Sequence, residues 1–145
     1  MSKVLVIEDS LTQAIAIRKT LAELVVGVET TVVSNGSAAI KALHEVQPDI
    51  VVLDLNLPDM NGLEISRKLK SSLATRHITV IVHSVESRLT VFNAAFEAGA
   101  DYYIPKGDSS LKNLASLVRG VLRRNGTLAE TTRKLGTAVQ MELAS

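Results

Sequence analysis

Four apolar residues, Ile50-Val51-Val52-Leu53, run without a polar interruption straight into Asp54, and a loop carrying Pro58 and Gly62 follows. A short apolar run with no alternation reads as a strand buried on both faces, the condition found inside a parallel sheet. Asp54 then stands at the carboxyl end of a central strand, the edge at which open α/β sheets bind ligands. A lone aspartate there can equally cap a turn or a helix, so its meaning depends on what else reaches that edge.

The rest of the chain repeats the pattern. Val4-Leu5-Val6-Ile7 is a strand ending at Glu8-Asp9, with Asp9 or Ser10 to cap a helix whose apolar stripe is Ala14, Ile17, Leu21 and Leu24. After Gly27 comes a strand over Glu29 to Val33, closed by Asn35-Gly36. Ser37 can cap the next helix, through Ile40, Leu43 and Val46, and Pro48 ends it. A third helix beyond Gly62 buries Ile65, Leu69 and Leu73, and Ile78 to Val82 is a fourth strand ending at His83-Ser84. The fourth helix spans about Glu86 to Ala98, stopped by Gly99, and a short strand, Asp101 to Ile104, leads to Pro105-Lys106. The fifth helix carries Leu111, Leu114, Val118, Val121 and Leu122, with Arg123-Arg124 and Asn125-Gly126 as its expected end. Five β–α units in succession predict a doubly wound five-stranded parallel sheet with helices on both faces.

In such a sheet the strand ends share one edge, so Glu8, Asp9, Asp54, Ser84 and Lys106 converge. Three carboxylates packed together repel unless a cation joins them. Magnesium suits that donor set, being satisfied by oxygens from one to three carboxylates, waters and a phosphate. Asp54 can then act as a nucleophile towards phosphorus, with the metal and Lys106 neutralising the phosphoryl oxygens and Ser84 donating to a third.

Composition removes other classes. The chain has no cysteine, which excludes disulfides and thiolate chemistry and fits a cytoplasmic protein. No apolar run approaches the roughly 18 residues of a membrane span, and a first strand beginning at Lys3 leaves no room for a signal peptide. Sixteen basic residues against fifteen acidic ones give no reason to expect direct nucleic-acid binding. His44 and His77 lack metal-ligand spacing, and His83, beside the site, is assigned no chemistry.

From residue 3 to about 124 the chain resembles the receiver domains of two-component response regulators. The acidic pair Glu8-Asp9, the Asp54-x-x-x-Pro58-x-x-x-Gly62 loop, Ser84 and Ala98-Gly99-Ala100-Asp101-Tyr102-Tyr103-Ile104-Pro105-Lys106 carry the likeness. The resemblance implies the flavodoxin-like strand order 2-1-3-4-5 and phosphorylation of Asp54 by a histidine kinase or a histidine phosphotransfer protein. It implies magnesium held by Asp9, Asp54 and the carbonyl of Asn56, with Glu8 ligating through water. Ser84 and Tyr103 would form a switch, and Asn56 and Glu86 would flank the path of hydrolytic water. A downstream protein would bind the face made by helix 4, strand 5 and helix 5, where Leu89, Phe92 and Phe96 already look more apolar than one buried stripe requires.

The chain departs from the pattern at three places. Gly107 follows the lysine where receivers usually have proline, Ser84 replaces the commoner threonine, and Val85 takes a position usually held by alanine or glycine. A haloacid-dehalogenase-type phosphatase would need Asp-x-Asp after the first strand, and Ile7-Glu8-Asp9-Ser10 lacks it. A flavodoxin would need a hydroxyl-rich loop and aromatic walls there. The rival kept open is a pseudo-receiver that serves as a scaffold without phosphorylation. Residues 1–124 are read as the receiver, and residues 125–145 as an extension too short for an output domain, so a stand-alone regulator is expected. Thr127-Leu128-Ala129-Glu130 has capping-box spacing, with Leu128, Leu135, Val139 and Leu143 near one face. That pattern predicts a sixth helix packing on its own domain or, as a homodimer contact, on a second copy.

Overall fold

The computed structural model describes residues 1–144, and the side chains of residues 127–132 and 137–144 lie outside that description. Its strands are β1 (Ser2–Ile7), β2 (Val28–Val33), β3 (Ile50–Leu53), β4 (Thr79–Ser84) and β5 (Tyr102–Pro105). Its helices are α1 (Leu11–Leu24), α2 (Gly36–Val46), α3 (Gly62–Lys70), α4 (Leu89–Glu97) and α5 (Ser110–Ala144). The sheet order is β2-β1-β3-β4-β5 with every pairing parallel, as expected.

Alternation along each strand divides the core into two layers. Leu5, Ile7, Val51, Leu53, Val80 and Val82 face α2, α3 and α4. Val4, Val6, Ile50, Val52 and Ile81 face α1 and α5. Burial on both sides is why β1, β3 and β4 read as continuous apolar runs, and each side chain of this size contributes about 1.5–3 kcal/mol on leaving water. β5 is an edge strand, and Pro105 sits exposed at its end, where a missing N–H costs no ladder bond.

Several local expectations give way to better ones. Leu24 is 44% exposed, and Val25, the extended residue that follows the helix, is buried at the end of the stripe instead. Asn35, not Ser37, caps α2: its side chain accepts from the Ala38 amide at 2.7 Å, and the helix starts at Gly36, two residues earlier than a Ser37 cap would place it. α3 ends at Lys70, so Leu73 falls beyond it and is exposed. α4 begins at Leu89 rather than Glu86.

The largest difference is at the C-terminus, where α5 runs unbroken through Arg124, Asn125 and Gly126 to Ala144. A glycine terminates a helix by taking a left-handed conformation, and Gly126 is not among the residues with positive φ. The backbone is helical through Thr127, so no new helix starts there. Leu135 is exposed, while Leu128, Val139 and Leu143 lie outside the described side chains.

Candidate functional site

Parallel pairing aligns the strand ends, and the residues just past β1, β3 and β5 meet as their positions require. Glu8, Asp9 and Asp54 each offer a carboxylate oxygen, all within 4.8 Å of one another. Glu8 and Asp54 are buried while Asp9 is exposed, so the cluster opens to solvent on the Asp9 side. Lys106 reaches in from the β5 end, its Nζ donating to Glu8 Oε1 at 2.6 Å and to Asp54 Oδ2 at 3.1 Å.

Desolvation raises the pKa of Glu8, reinforced by its hydrogen-bonded neighbour Asp54 and opposed by Lys106. Burial alone would lower that of Lys106, but its bonds to Glu8 and Asp54 outweigh it and leave the ammonium held above its usual value. Three carboxylates against one ammonium leave an excess of negative charge in a partly buried site. That imbalance and the all-oxygen donor set fit a hard divalent cation.

The second oxygen of Asp54, Oδ1, accepts the Asn56 amide at 3.2 Å. The loop that follows is drawn tight: the Gly62 amide donates to the Leu55 carbonyl at 2.9 Å, and a Cβ at Gly62 would lie 2.3 Å from the Asp54 carbonyl oxygen. Gly62 is required by closeness, since backbone cannot move aside. Asp59, in the same loop, accepts the Gly36 and Ser37 amides at 2.7 and 2.9 Å and so ties the loop to the start of α2. Those amides hold the Asp59 pKa below the ordinary range.

Ser84, Glu86 and Tyr103 form a second group. Ser84 is fully buried, its Oγ accepting from the Glu86 amide at 3.5 Å, and the Tyr103 hydroxyl donates to the Glu86 carbonyl at 2.9 Å. The Tyr103 ring packs against Phe92 with centroids 4.4 Å apart. Burial raises the pKa of that phenol, so it stays a donor. Among the described hydrogen bonds none joins this trio to Asp54; the strand carries Ser84 to the same edge without a direct link. Val85 is 62% exposed and does not close over the site.

One contact that matters to this edge was not foreseen, that of His83 with Ser110. His83 is buried, and its Nε2 lies 3.1 Å from Oγ of Ser110, the first residue of α5. Strand alternation was the available signal: if Ser84 faces the site layer, His83 must enter the opposite one, where a polar ring needs a partner.

The family described as response regulator receiver domain matches residues 4–119. The DNA-binding response regulator MtrA of Mycobacterium tuberculosis (strain H37Rv) is 36% identical over 99 residues, covering 68% of this chain and 42% of that protein. The transcriptional regulatory protein KdpE of the same strain is 38% identical over 130 residues, 90% of this chain and 55% of that protein. The chain therefore spans about half the length of the curated relatives it matches. Among solved structures, the signal receiver domain of a DNA-binding response regulator (merR) from Colwellia psychrerythraea 34H superposes with a TM-score of 0.78 at 27% identity, over 85% of this chain and 99% of that one. The receiver domain of a signal transduction histidine kinase from Syntrophus aciditrophicus gives 0.76 at 33% identity, over 85% and 91%.

Proposed function

The chain belongs to the response regulator receiver family of two-component signal transduction, and from that premise we propose that Asp54 is its phosphoacceptor, loaded by a histidine kinase or a histidine phosphotransfer protein. The observation that carries this reading is the environment of one carboxylate. Asp54 is 6% exposed, with Oδ2 held by Lys106 and Oδ1 by the Asn56 amide, so its oxygens are fixed before any donor arrives.

In the transfer, an Asp54 oxygen forms a bond to phosphorus as the phosphorus–nitrogen bond to the donor imidazole breaks. The imidazole leaves with the bonding pair and takes up a proton, and the product is an acyl phosphate. Lys106 follows the charge from the carboxylate to a phosphoryl oxygen, and the Ser84 hydroxyl donates to another. Magnesium supplies charge neutralisation for those oxygens when bound, and Glu8, Asp9, Asp54 and the Asn56 carbonyl would hold it.

Recruiting Ser84 towards the phosphoryl group would release its bond with the Glu86 amide, and Tyr103, bonded to the Glu86 carbonyl, would respond. Those two residues are the proposed switch. Asn56 and Glu86 flank the in-line route of water, so a bulky residue at 56 should lengthen the life of the acyl phosphate. The output is a partner protein bound on the face of α4, β5 and α5. Leu89 and Phe96 are 71% and 49% exposed there, which supports a receiver acting by partner binding in its own right. The near-neutral charge supports protein rather than nucleic-acid recognition by this chain, and its lack of cysteine supports a cytoplasmic setting.

Incubation with acetyl phosphate and magnesium, followed by intact-mass measurement, tests the reading. One base-labile phosphoryl group should be gained, and Asp54→Asn should gain none. Full labelling of Asp54→Asn would overturn the assignment.

A further inference from the structure

The turn that follows Lys106 has little of its own to hold it. Gly107 is exposed, with open space around its Cα, and Asp108 and Ser109 are exposed as well. Yet Lys106 must present its ammonium within hydrogen-bond reach of both Glu8 and Asp54. On one side the backbone is fixed by the Lys106 amide donating to the Ser84 carbonyl at 2.8 Å. On the other it is fixed by Ser110, whose amide and hydroxyl both donate to the Gly107 carbonyl, at 3.1 and 2.9 Å.

Ser110 is in turn bonded to His83. A serine hydroxyl has one proton, and here it goes to the Gly107 carbonyl. In that arrangement His83 Nε2 carries the ring proton and donates to Ser110 Oγ, and Nδ1 is bare. Nδ1 is buried and has no hydrogen-bond partner among the described residues. A buried polar atom left without a partner is a cost to the fold, which offsets what the Nε2 bond to Ser110 contributes. A leucine would fill the same space without that cost. Lys106 and Asp54 are the charged groups that act on the ring, and its low pKa, about 4, keeps it neutral in this role.

We propose that His83 and Ser110 are positioning residues for phosphoryl transfer, a buried chain from β4 through Ser110 to the Gly107 carbonyl that holds the Lys106 turn in register with the carboxylates. The inference rests on the reading of Asp54 as phosphoacceptor. It assigns β4 two tasks at adjacent residues: Ser84 serves the site from one face of the sheet, and His83 braces the lysine's turn from the other.

The test compares wild type, His83→Leu, His83→Gln, Ser110→Ala and the double variant His83→Leu/Ser110→Ala. Each is measured for acetyl-phosphate labelling rate with magnesium, for melting temperature, and for amide exchange at residues 106–110. His83→Leu should melt no lower than wild type while labelling about tenfold more slowly, short of the roughly hundredfold that a misplacement of about 1 Å can cost, with faster exchange at the turn. His83→Gln, which keeps an N–H donor at similar reach, should recover most of the rate. The double variant should label no more slowly than the slower single one, as members of one chain do. A folded His83→Leu protein that labels at the wild-type rate overturns the inference and leaves the phosphoacceptor reading intact. Loss of folding in both His83→Leu and His83→Gln also overturns it, by making the histidine a folding residue. A wild type that takes no label at Asp54 removes the reading itself, and the inference with it.

Discussion

The Lys106 ammonium lies 3.1 Å from Asp54 Oδ2 although their strands are not neighbours, since β4 runs between β3 and β5. The same ammonium reaches Glu8 beyond β1, one strand further across the sheet. A single long side chain thus lies over the strand ends and partly neutralises the carboxylate cluster. It competes directly with any cation placed among those oxygens. Lys106→Ala should therefore tighten magnesium binding, by roughly tenfold for the loss of one nearby positive charge in a partly screened site. Calorimetric titration of both proteins at equal ionic strength measures the effect, and weaker binding in the variant would contradict it.

Gly62 has no room for a methyl group, because the obstacle is the Asp54 carbonyl oxygen and the Leu55 Cα, both backbone. Gly62→Ala should cost about 1–3 kcal/mol of stability, as overpacked sites do, and should shift the Asp54 peptide. A urea unfolding curve gives the first quantity and the amide shift of Asp54 the second. Unchanged values for both would show that the loop can open freely.

His83 gives the fold a pH dependence of definite sign. Burial, then the Lys106 charge, lowers its pKa from 6.5 to about 4, with Asp54 acting weakly the other way. Between those values the unfolded chain binds the proton and the folded chain does not. Stability is therefore undiminished above 6.5 and falls as pH drops towards 4, by about 3 kcal/mol at most. Glu8, whose pKa is raised, works in the opposite sense, its contribution fading as pH rises. Comparing urea stability at pH 7 and pH 4.5 in wild type and His83→Leu isolates the histidine. The variant should lose less on acidification.

Tyr103→Phe keeps the ring against Phe92 and removes the donor from the Glu86 carbonyl. The loss in stability should be near 1 kcal/mol, the usual worth of one such bond. Faster amide exchange should be confined to the segment between β4 and α4. Protection there equal to wild type would mean that the hydroxyl does not restrain it.

The fold was legible because its determinants are local and repeated. Ile50 to Leu53 and Val4 to Ile7 are apolar on both faces, which admits little but interior parallel strands. The edge residues followed, since Asp54, Glu8 and Lys106 need only their places at strand ends to meet. Sequence was silent where the outcome turned on a competition that spacing does not record. Asn125-Gly126 reads as a helix stop, but a glycine stops a helix only if it turns left-handed, and α5 continues through it at a cost of about 1 kcal/mol. The Asp59 anchor on α2 joins residues 22 and 23 positions apart, and no periodicity announces it. His83 was visible as a residue beside the site. Its task depends on Ser110, and only the packing of α5 brings the two together.

The unbroken α5 carries the chain well past the sheet as one helix. Leu114, Ala115, Val118 and Val121 pack its first turns into the core, and residues 122–144 run on from there, roughly 34 Å at about 1.5 Å each, so a tilt of about 5° where α5 leaves the core would sweep the far end through roughly 3 Å. The packed segment begins at Ser110, bonded to the residue beside Ser84. A displacement at the strand edge too small to alter the sheet would thus arrive at the distal end of α5 magnified to the size of a side chain, large enough for a partner protein to distinguish.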